Sequence, residues 1–320
     1  MYKSFFGLTT YPFSLTPDPK FVVVTPGYTE ILAGLYYGIE MAKGLTVVTG
    51  EVGTGKTTAL RWIIRRLESG VLASYIVNPH LSTEEFYHHL TNMLGLKHWS
   101  NKSELLGQLG SLLEQRHQRG LRTVLIVDEA HELSDEVLEE IRLLLNFESD
   151  NAKHLQIILS GQPELTERLR QPNLRQLKQR VAFRCKIPIL PDVAGVKRFI
   201  ADRLKIAGLD GSDIFTQEAL ELIYQCSEGI PRQINNLCDN ALLSAYSANK
   251  NCVDRAIIEE VADNLDMLPD RSPLLVNERY DVSPAPSSVL TKAGRDELLM
   301  DEKSNSKNLS EKKFKKLREV

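Results

Sequence analysis

The chain has 320 residues, of which 42% are apolar and 25% are charged, and its formal net charge is -3. This composition is that of a soluble globular protein, and the length suits two domains with a tail. A charge so close to zero argues neither for nor against nucleic-acid binding, and any basic patch has to be local. No apolar run reaches the ~18 residues of a membrane-spanning helix, and the N-terminus does not resemble a signal peptide. We therefore expect a cytoplasmic protein that reaches the inner membrane, if at all, through a partner.

The cysteines give a second indication of the compartment. No two of them form a CxxC pair, and no histidine lies at zinc-finger spacing from any of them. We expect a reducing compartment in which all four are small buried apolar residues rather than disulfide partners, namely Cys185, Cys226, Cys238 and Cys252.

The first 190 residues predict a strap followed by an α/β domain. Residues 1–26 are rich in proline and aromatic residues, and we predict an extended strap whose rings pack onto a neighbouring surface. A helix is predicted over residues 28–42 from the spacing of its apolar side chains. Apolar strands then alternate with helices, which indicates a parallel sheet covered on both faces, so residues 27–190 are predicted to be one α/β domain. Its strands are predicted at residues 45–49, 71–77, 123–127 and 155–159.

The remaining residues predict a lid and a tail. After Pro191 only helical patterns follow, so residues 191–267 are predicted to form a small helical lid domain. Its helices are expected to begin at or just after Asp192, Thr216, Pro231 and Asp254. Residues 268–320 mix proline, serine and charge with few apolar positions, which is the composition of a disordered tail.

A phosphate-binding loop stands between the first strand and the next helix. Residues 50–57 fit the P-loop pattern at every fixed position. Its glycines let backbone N–H groups and the helix N-terminus face the phosphates of ATP. Lys56 is expected to reach the β- and γ-phosphates, and the Thr57 hydroxyl to coordinate Mg²⁺. The predicted nucleotide-binding residues are Gly50, Glu51, Val52, Gly53, Thr54, Gly55, Lys56, Thr57 and Thr58.

Two carboxylates follow the apolar strand at residues 123–127. Asp128 and Glu129 stand where a parallel sheet binds ligands, at the carboxyl end of a strand. Phosphoryl transfer depends mainly on positioning and charge stabilisation, so we expect Asp128 to orient Mg²⁺ and Glu129 to polarise the attacking water. Asp128-Glu129-Ala130-His131 also spells the tetrad of one helicase class. The chain is too short for two tandem helicase domains, so we assign His131 to a loop or helix start.

Polar residues follow two further predicted strands. Asn78 and Gln162 would lie beside the γ-phosphate if their strands flank the strand that ends at Asp128. Asn78 is a candidate to hold Glu129 inactive until a partner binds, although turn chemistry explains an asparagine at a strand end equally well. For Gln162 we favour a role in catalysis.

Two arginines complete the predicted site. Residues 174–184 form a basic helix-to-strand segment, and ATPases of this kind need an arginine from a neighbouring subunit to stabilise transition-state charge. We predict Arg180 for that role, with Arg175 and Arg184 as alternatives. Arg232 stands in the first turn of a lid helix, where a cation opposes the helix dipole, so we predict that it contacts the ATP phosphates.

Together these parts resemble an AAA+ ATPase, and over residues 1 to about 266 the chain is similar to the ExeA/GspA-type secretion ATPases. That family has relatives in pilus, exosortase and exopolysaccharide systems. The motifs that carry the resemblance are Tyr2-Lys3, Phe5-Phe6-Gly7-Leu8, Pro12-Phe13, Pro17-Asp18-Pro19, Thr49 through Thr58, Gly161 through Leu165, and Gly229 through Asn235.

The resemblance implies a P-loop AAA+ core followed by a helical lid, and it supports the roles given to Lys56, Thr57, Asp128, Glu129, Arg180 and Arg232. Family members that assemble the outer-membrane secretin carry a transmembrane helix and a peptidoglycan-binding domain after the ATPase. This sequence shows neither, and His131 stands where glutamine is usual. We therefore expect a soluble version that acts through a partner.

The predicted function is hydrolysis of ATP to ADP and phosphate, with Mg²⁺, by a homo-oligomeric ring or filament. Its output would be assembly or switching of a secretion or surface-polymer export system, with an envelope-associated protein as partner. The alternative is a DNA-dependent ATPase of the transposition-regulator type, which the basic segment near Arg175 leaves open. An ATP-binding scaffold without activity is a third reading, and an intact Glu129 argues against it.

Overall fold

The computed structural model describes residues 2–16, 18–21, 23, 26–67, 70–77, 80–96, 98–149, 152–209 and 213–269. From residue 270 onward the predicted tail lies outside the described residues, and so does Asn78. In the described part of the chain, no helix is long and apolar enough to span a membrane.

Helices and strands alternate as far as residue 186, and the elements described from there to residue 269 are helices. In chain order they are α1 (Tyr2–Phe5), α2 (Pro26–Glu40), β1 (Leu45–Thr49), α3 (Lys56–Arg66), β2 (Val71–Ile76), α4 (Thr83–Met93), α5 (Lys102–Gln118), β3 (Arg122–Val127), α6 (Asp135–Leu144), β4 (Glu148–Ser149), β5 (Ala152–Lys153), β6 (Leu155–Gly161), α7 (Pro163–Arg168), α8 (Arg175–Gln179), β7 (Val181–Lys186), α9 (Val193–Ile206), α10 (Gln217–Ser227), α11 (Pro231–Ser247) and α12 (Arg255–Asn264).

The main sheet has five parallel strands in the order β2-β3-β6-β1-β7. This confirms the predicted parallel sheet. Strand β3 lies between β2 and β6, which meets the condition set for Asn78 and Gln162 at the ends of those two strands. A short antiparallel hairpin, β4–β5, was not predicted, because two-residue strands carry no periodicity that a sequence can show.

The core explains why the strands are apolar at every position. In β3, Leu125 and Val127 belong to the cluster on one face of the sheet, whereas Val124 and Ile126 belong to the cluster on the other. Alternate side chains of a strand point to opposite faces, so a strand with helices on both sides buries all of them. The sheet thereby holds the end of β3, and with it Asp128, in a rigid position.

The lid helices begin where the sequence predicts. The side chains of Asp192, Thr216 and Asp254 each accept a hydrogen bond from a backbone N–H in the first turn of α9, α10 and α12. Pro231 occupies the first position of α11, where its missing N–H costs nothing. Residues 1–270 form one compact unit, so the separation of core and lid into two domains stays a prediction.

The N-terminal strap packs into the lid. Phe6, Phe13 and Phe21 are buried in the same cluster as the apolar residues of α9–α12. The prediction of an extended backbone is wrong for Tyr2–Phe5, which is helical. A helical turn places Tyr2 and Phe6, four residues apart, on one face, and both side chains are buried there.

All four cysteines are free, but the prediction that all are buried is wrong. Cys238 is buried, Cys185 and Cys226 are partly buried, and Cys252 is exposed. Its neighbour Val253 is fully buried and forms a parallel bridge with Phe215. Because successive side chains of an extended segment alternate in direction, Cys252 faces outward.

Candidate active site

The loop between β1 and α3 is wound too tightly to carry side chains at its glycines. Gly53 and Gly55 have φ values of +82° and +97°, which L-residues rarely adopt. A Cβ added at Gly50 would lie 2.8 Å from Thr54 Oγ1. No side chain caps the N-terminus of α3. Its free N–H groups and the bare loop therefore form a cradle that suits a phosphate group.

Lys56 is buried at the base of this cradle. Its Nζ donates hydrogen bonds to the carbonyl oxygens of Gly50, at 2.8 Å, and of Glu51, at 3.1 Å. Burial lowers the pKa of Lys56, and the carboxylates of Glu129 and Asp128 oppose that shift. The ammonium group thus lies between the loop and two acidic residues, where an anion would compete with the loop carbonyls for its protons.

Thr57 and Asp128 meet beside the loop. The Thr57 hydroxyl donates to Asp128 Oδ2 at 2.7 Å, and the Tyr75 hydroxyl donates to the same oxygen at 2.9 Å. Asp128 is only 2% exposed. Within the described residues, no group of three or more His, Cys, Asp or Glu side chains could hold a metal ion. A hydroxyl and one carboxylate nevertheless suit Mg²⁺, which commonly takes one or two protein oxygens and completes its shell with phosphates and water.

Glu129 lies in the cleft in a strained conformation. Its φ is +51°, and its backbone N–H donates to Asp128 Oδ1 at 3.1 Å. The side chain is 41% exposed, but its Oε2 is buried without a hydrogen bond and lies 3.5 Å from His131 Nδ1. A carboxylate oxygen left without a donor can accept a proton or orient a water molecule.

His131 lies against Glu129, a contact that its position in the sequence did not indicate. It lies in a 3-10 turn, Ala130–Glu132, as the loop assignment implied. Its ring is buried between the carboxylates of Glu129 and Glu132, and its Nδ1 accepts a hydrogen bond from the backbone N–H of Gln162 at 3.5 Å. The histidine therefore joins the predicted catalytic glutamate to the end of β6.

The lid contacts the loop directly. The backbone N–H of Arg232 donates to the carbonyl oxygen of Gly53 at 3.1 Å, and its side chain lines the cleft. Two further lid arginines, Arg198 and Arg203 of α9, line the same cleft. They were missed, because a basic residue on a helix face gives no sign of what that face covers.

The cleft between loop, lid and strap has a volume of about 800 Å³, within the range of pockets that enclose small ligands. Residues 52–58 and Glu129 line it on the core side, and residues 188–192 line it at the start of the lid. The strap contributes Ser14, Leu15, Thr16, Asp18, Phe21 and Val23.

Other predicted residues lie away from this cleft. Gln162 is at the N-terminus of α7 and its side chain does not line the cleft described here. Arg180 ends α8, where its Nη2 donates to Asn146 Oδ1 at 3.1 Å. Arg175, in α8, and Arg184, in β7, are likewise absent from the lining. The arginine segment and the phosphate loop are therefore not brought together within one chain.

Comparison with known proteins identifies relatives. Residues 39–169 match the family model described as AAA domain. The chain is 41% identical over 253 residues to general secretion pathway protein A of Aeromonas hydrophila, a match that spans 77% of this chain and 45% of that protein. The chain thus covers less than half the length of this relative.

Two further relatives are more distant. ATP-dependent target DNA activator B of Escherichia phage Mu is 28% identical over 267 residues, which is 82% of this chain and 78% of that protein. The structure of Cdc6p from Pyrobaculum aerophilum superposes with a TM-score of 0.62 at 17% identity, over 80% of this chain and 70% of that one. At 17% identity, the similarity to Cdc6p shows a shared fold and nothing more.

Proposed function

We propose that this chain, which belongs to the AAA proteins of the general secretion pathway protein A type, hydrolyses ATP to ADP and phosphate with Mg²⁺. The observation that carries the proposal is the 2.7 Å hydrogen bond from the Thr57 hydroxyl to Asp128, because these two oxygen atoms would hold Mg²⁺ beside the phosphate cradle. A site that only bound nucleotide would need the cradle but not the free glutamate.

Each residue has a definite task in this proposal. The N–H groups of the loop and Lys56 bind the phosphates, and Lys56 exchanges its bonds to Gly50 and Glu51 for bonds to them. Mg²⁺, when bound, neutralises charge on the phosphate oxygens. Glu129 orients the attacking water with its unpaired Oε2 and accepts the proton that the water loses. Arg232 brings a positive charge from the lid to the same phosphates.

The position of Arg180 supports an oligomer. Its side chain donates to Asn146 and does not line the cleft of its own chain, so if Arg180 acts on a nucleotide, that nucleotide belongs to a neighbour. Head-to-tail packing of identical subunits supplies such an arginine to every site in a ring or filament. Arg175 and Arg184 stay alternatives, since neither lines the cleft.

A role in secretion is supported by the 41% identity to general secretion pathway protein A. It would place the chain on the cytoplasmic side of the envelope, with an envelope-associated protein as partner. The relation to the target DNA activator of phage Mu favours a second candidate, an ATPase stimulated by DNA. The two differ in what should stimulate turnover, and not in the nucleotide site.

The nucleotide chemistry is tested by three variants. Lys56→Ala should abolish ATP binding, whereas Glu129→Gln should bind ATP and lose turnover by about 10²-fold or more, as removal of a positioned base does. Glu218→Gln is the matched control, because Glu218 is an exposed glutamate in the first turn of α10 and lies outside the cleft lining. Hydrolysis by Glu129→Gln at the rate of the control would refute the assignment.

The second test separates DNA from a protein partner. Turnover is measured with and without duplex DNA at 50 and 200 mM salt, because binding through phosphate contacts weakens steeply with salt. A salt-sensitive stimulation of several-fold supports the DNA-dependent reading. Turnover that does not respond to DNA at either salt concentration removes it and leaves the secretion role.

A further inference from the structure

Arg203 of α9 is a buried arginine whose hydrogen-bond partners are backbone carbonyl groups. It is 8% exposed. Its Nε donates to Pro12 O at 2.6 Å and its Nη1 donates to Phe21 O at 3.3 Å. Burial lowers the pKa of Arg203 to about 10, so the group still carries its charge at neutral pH. Such a charge is costly to bury, and its hydrogen bonds to the strap offset that cost.

Aromatic rings of the strap and of α9 surround the guanidinium group. Its centre lies 5.0 Å from the ring centroid of Phe21, 5.5 Å from that of Phe199 and 6.0 Å from that of Phe13. Cations are attracted to aromatic faces at these distances, and a planar guanidinium is suited to them. Arg203 therefore holds two points of the strap, one near Phe13 and one at Phe21, against the lid.

The part of the strap between these two points forms a wall of the nucleotide cleft. Ser14, Leu15 and Thr16 line it, as does Asp18, and Arg203 lines it too. The phosphate cradle takes up the end of the cleft at residues 52–58. The rest of the lining comes from the strap, residues 188–192 and the helices α2, α9 and α11, and the base and ribose would lie among these residues.

Other contacts between strap and lid lie before this segment. The backbone N–H and the hydroxyl of Thr9 both donate to Ala207 O, each at 2.8 Å. The Tyr2 hydroxyl donates to Asp239. These anchors attach the strap without touching the cleft lining, so they provide controls that Arg203 can be compared with.

We propose that Arg203 is a positioning residue that holds Ser14, Leu15, Thr16 and Asp18 of the strap as the base-and-ribose wall of the nucleotide site. Affinity for the nucleoside part of ATP then depends on Arg203, whereas affinity for the phosphates does not. The proposal rests on the proposed nucleotide function. A lysine cannot replace this arginine, because a single ammonium group lacks the planar fork that reaches both carbonyl oxygens.

The experiment compares ADP with inorganic triphosphate, which carries phosphates and no nucleoside. Both dissociation constants are measured by titration calorimetry with Mg²⁺ for the wild type, Arg203→Lys and the control Thr9→Val. Arg203→Lys should weaken ADP binding about tenfold, because ADP must then order the strap without one of the charge-assisted hydrogen bonds that hold it in the wild type. Its binding of triphosphate should stay within about twofold of the wild type, and Thr9→Val should change neither.

Hydrogen exchange of the wild-type chain gives a second readout that needs no variant to fold. ADP should slow exchange of the Ser14, Leu15 and Thr16 amides, and triphosphate should not. Equal weakening of ADP and triphosphate by Arg203→Lys, or strap amides that respond equally to both ligands, would overturn the proposal while leaving the phosphate site intact. A wild type that binds neither ligand would overturn the nucleotide function itself, and this proposal with it.

Discussion

Gly229 connects the lid helices α10 and α11, and of the glycines that the structure describes it has the closest neighbour to an added Cβ. Its φ is +72°, and a Cβ added there would lie 2.1 Å from the carbonyl oxygen of Leu190. The Leu190 N–H donates to Gly229 O at 2.9 Å. This contact joins the start of the lid to the turn that precedes Arg232. Gly229→Ala must therefore displace one of the two backbones.

The expected loss of stability has two parts. A left-handed conformation costs alanine about 1 kcal/mol. Displacing Leu190 breaks or stretches one backbone hydrogen bond, which is worth about 1 kcal/mol. The Leu190 N–H and the Gly229 carbonyl are then left without each other as partners. We expect a loss of roughly 2–3 kcal/mol, and a fall in melting temperature of roughly 5–10 °C for a unit of this size.

The matched control is Gly95→Ala. Gly95 has a φ of +75°, nearly the same as Gly229, but a Cβ added there would meet nothing within 4 Å. It should therefore show only the conformational cost, about 1 kcal/mol. Both variants are measured by urea denaturation and by thermal melting. If the two lose the same free energy of unfolding, the contact with Leu190 contributes nothing and the reasoning is wrong.

Three further predictions concern assembly, helix capping and pH. Arg180→Ala alone should hydrolyse ATP about 10³-fold more slowly than the wild type and should recover activity when mixed with Lys56→Ala, because each variant supplies what the other lacks; a mixture no faster than its components contradicts a shared site. Ser82→Ala should lower the free energy of unfolding by about 1 kcal/mol in urea and leave turnover unchanged, since the Ser82 hydroxyl caps α4; no loss of stability would refute the cap. Burial and the neighbouring His117 lower the pKa of His154, so the unfolded chain binds more protons and stability should fall as pH drops through about 6.5. His154→Gln should flatten the pH dependence of the free energy of unfolding between pH 7.5 and 5.5. An unchanged slope would show that His154 does not cause this dependence.

The parts of the site that were predicted from sequence are those whose signal is local. The phosphate loop is a contiguous pattern, and the carboxylates follow a strand whose apolar character comes from burial on both faces. Helix starts such as Asp192 and Asp254 were predicted because a cap depends on atoms three residues away. A loop or a helix start that depends only on neighbouring residues can be predicted without knowledge of the rest of the fold.

What could not be predicted depends on contacts between distant segments. Arg203 lies about 190 positions along the chain from Pro12, and nothing around either residue in the sequence indicates the hydrogen bond between them. The strap was correctly expected to pack on a neighbouring surface, but its own pattern could not say which surface. Cys252 was assigned to the interior by residue type, whereas its exposure follows from the burial of Val253.

Gly53 depends both on the local conformation of the loop and on a contact with the distant lid. The P-loop pattern requires glycine at positions 50 and 55 and leaves position 53 open, so the motif does not explain this glycine. In the structure its φ is +82°, and a Cβ there would lie 2.6 Å from the Cβ of Arg232, whose N–H donates to Gly53 O. The glycine is therefore required by the lid as well as by the loop. If the loop binds phosphate as proposed, the hydrogen bond from Arg232 N–H to Gly53 O connects the phosphate site to the lid through backbone atoms.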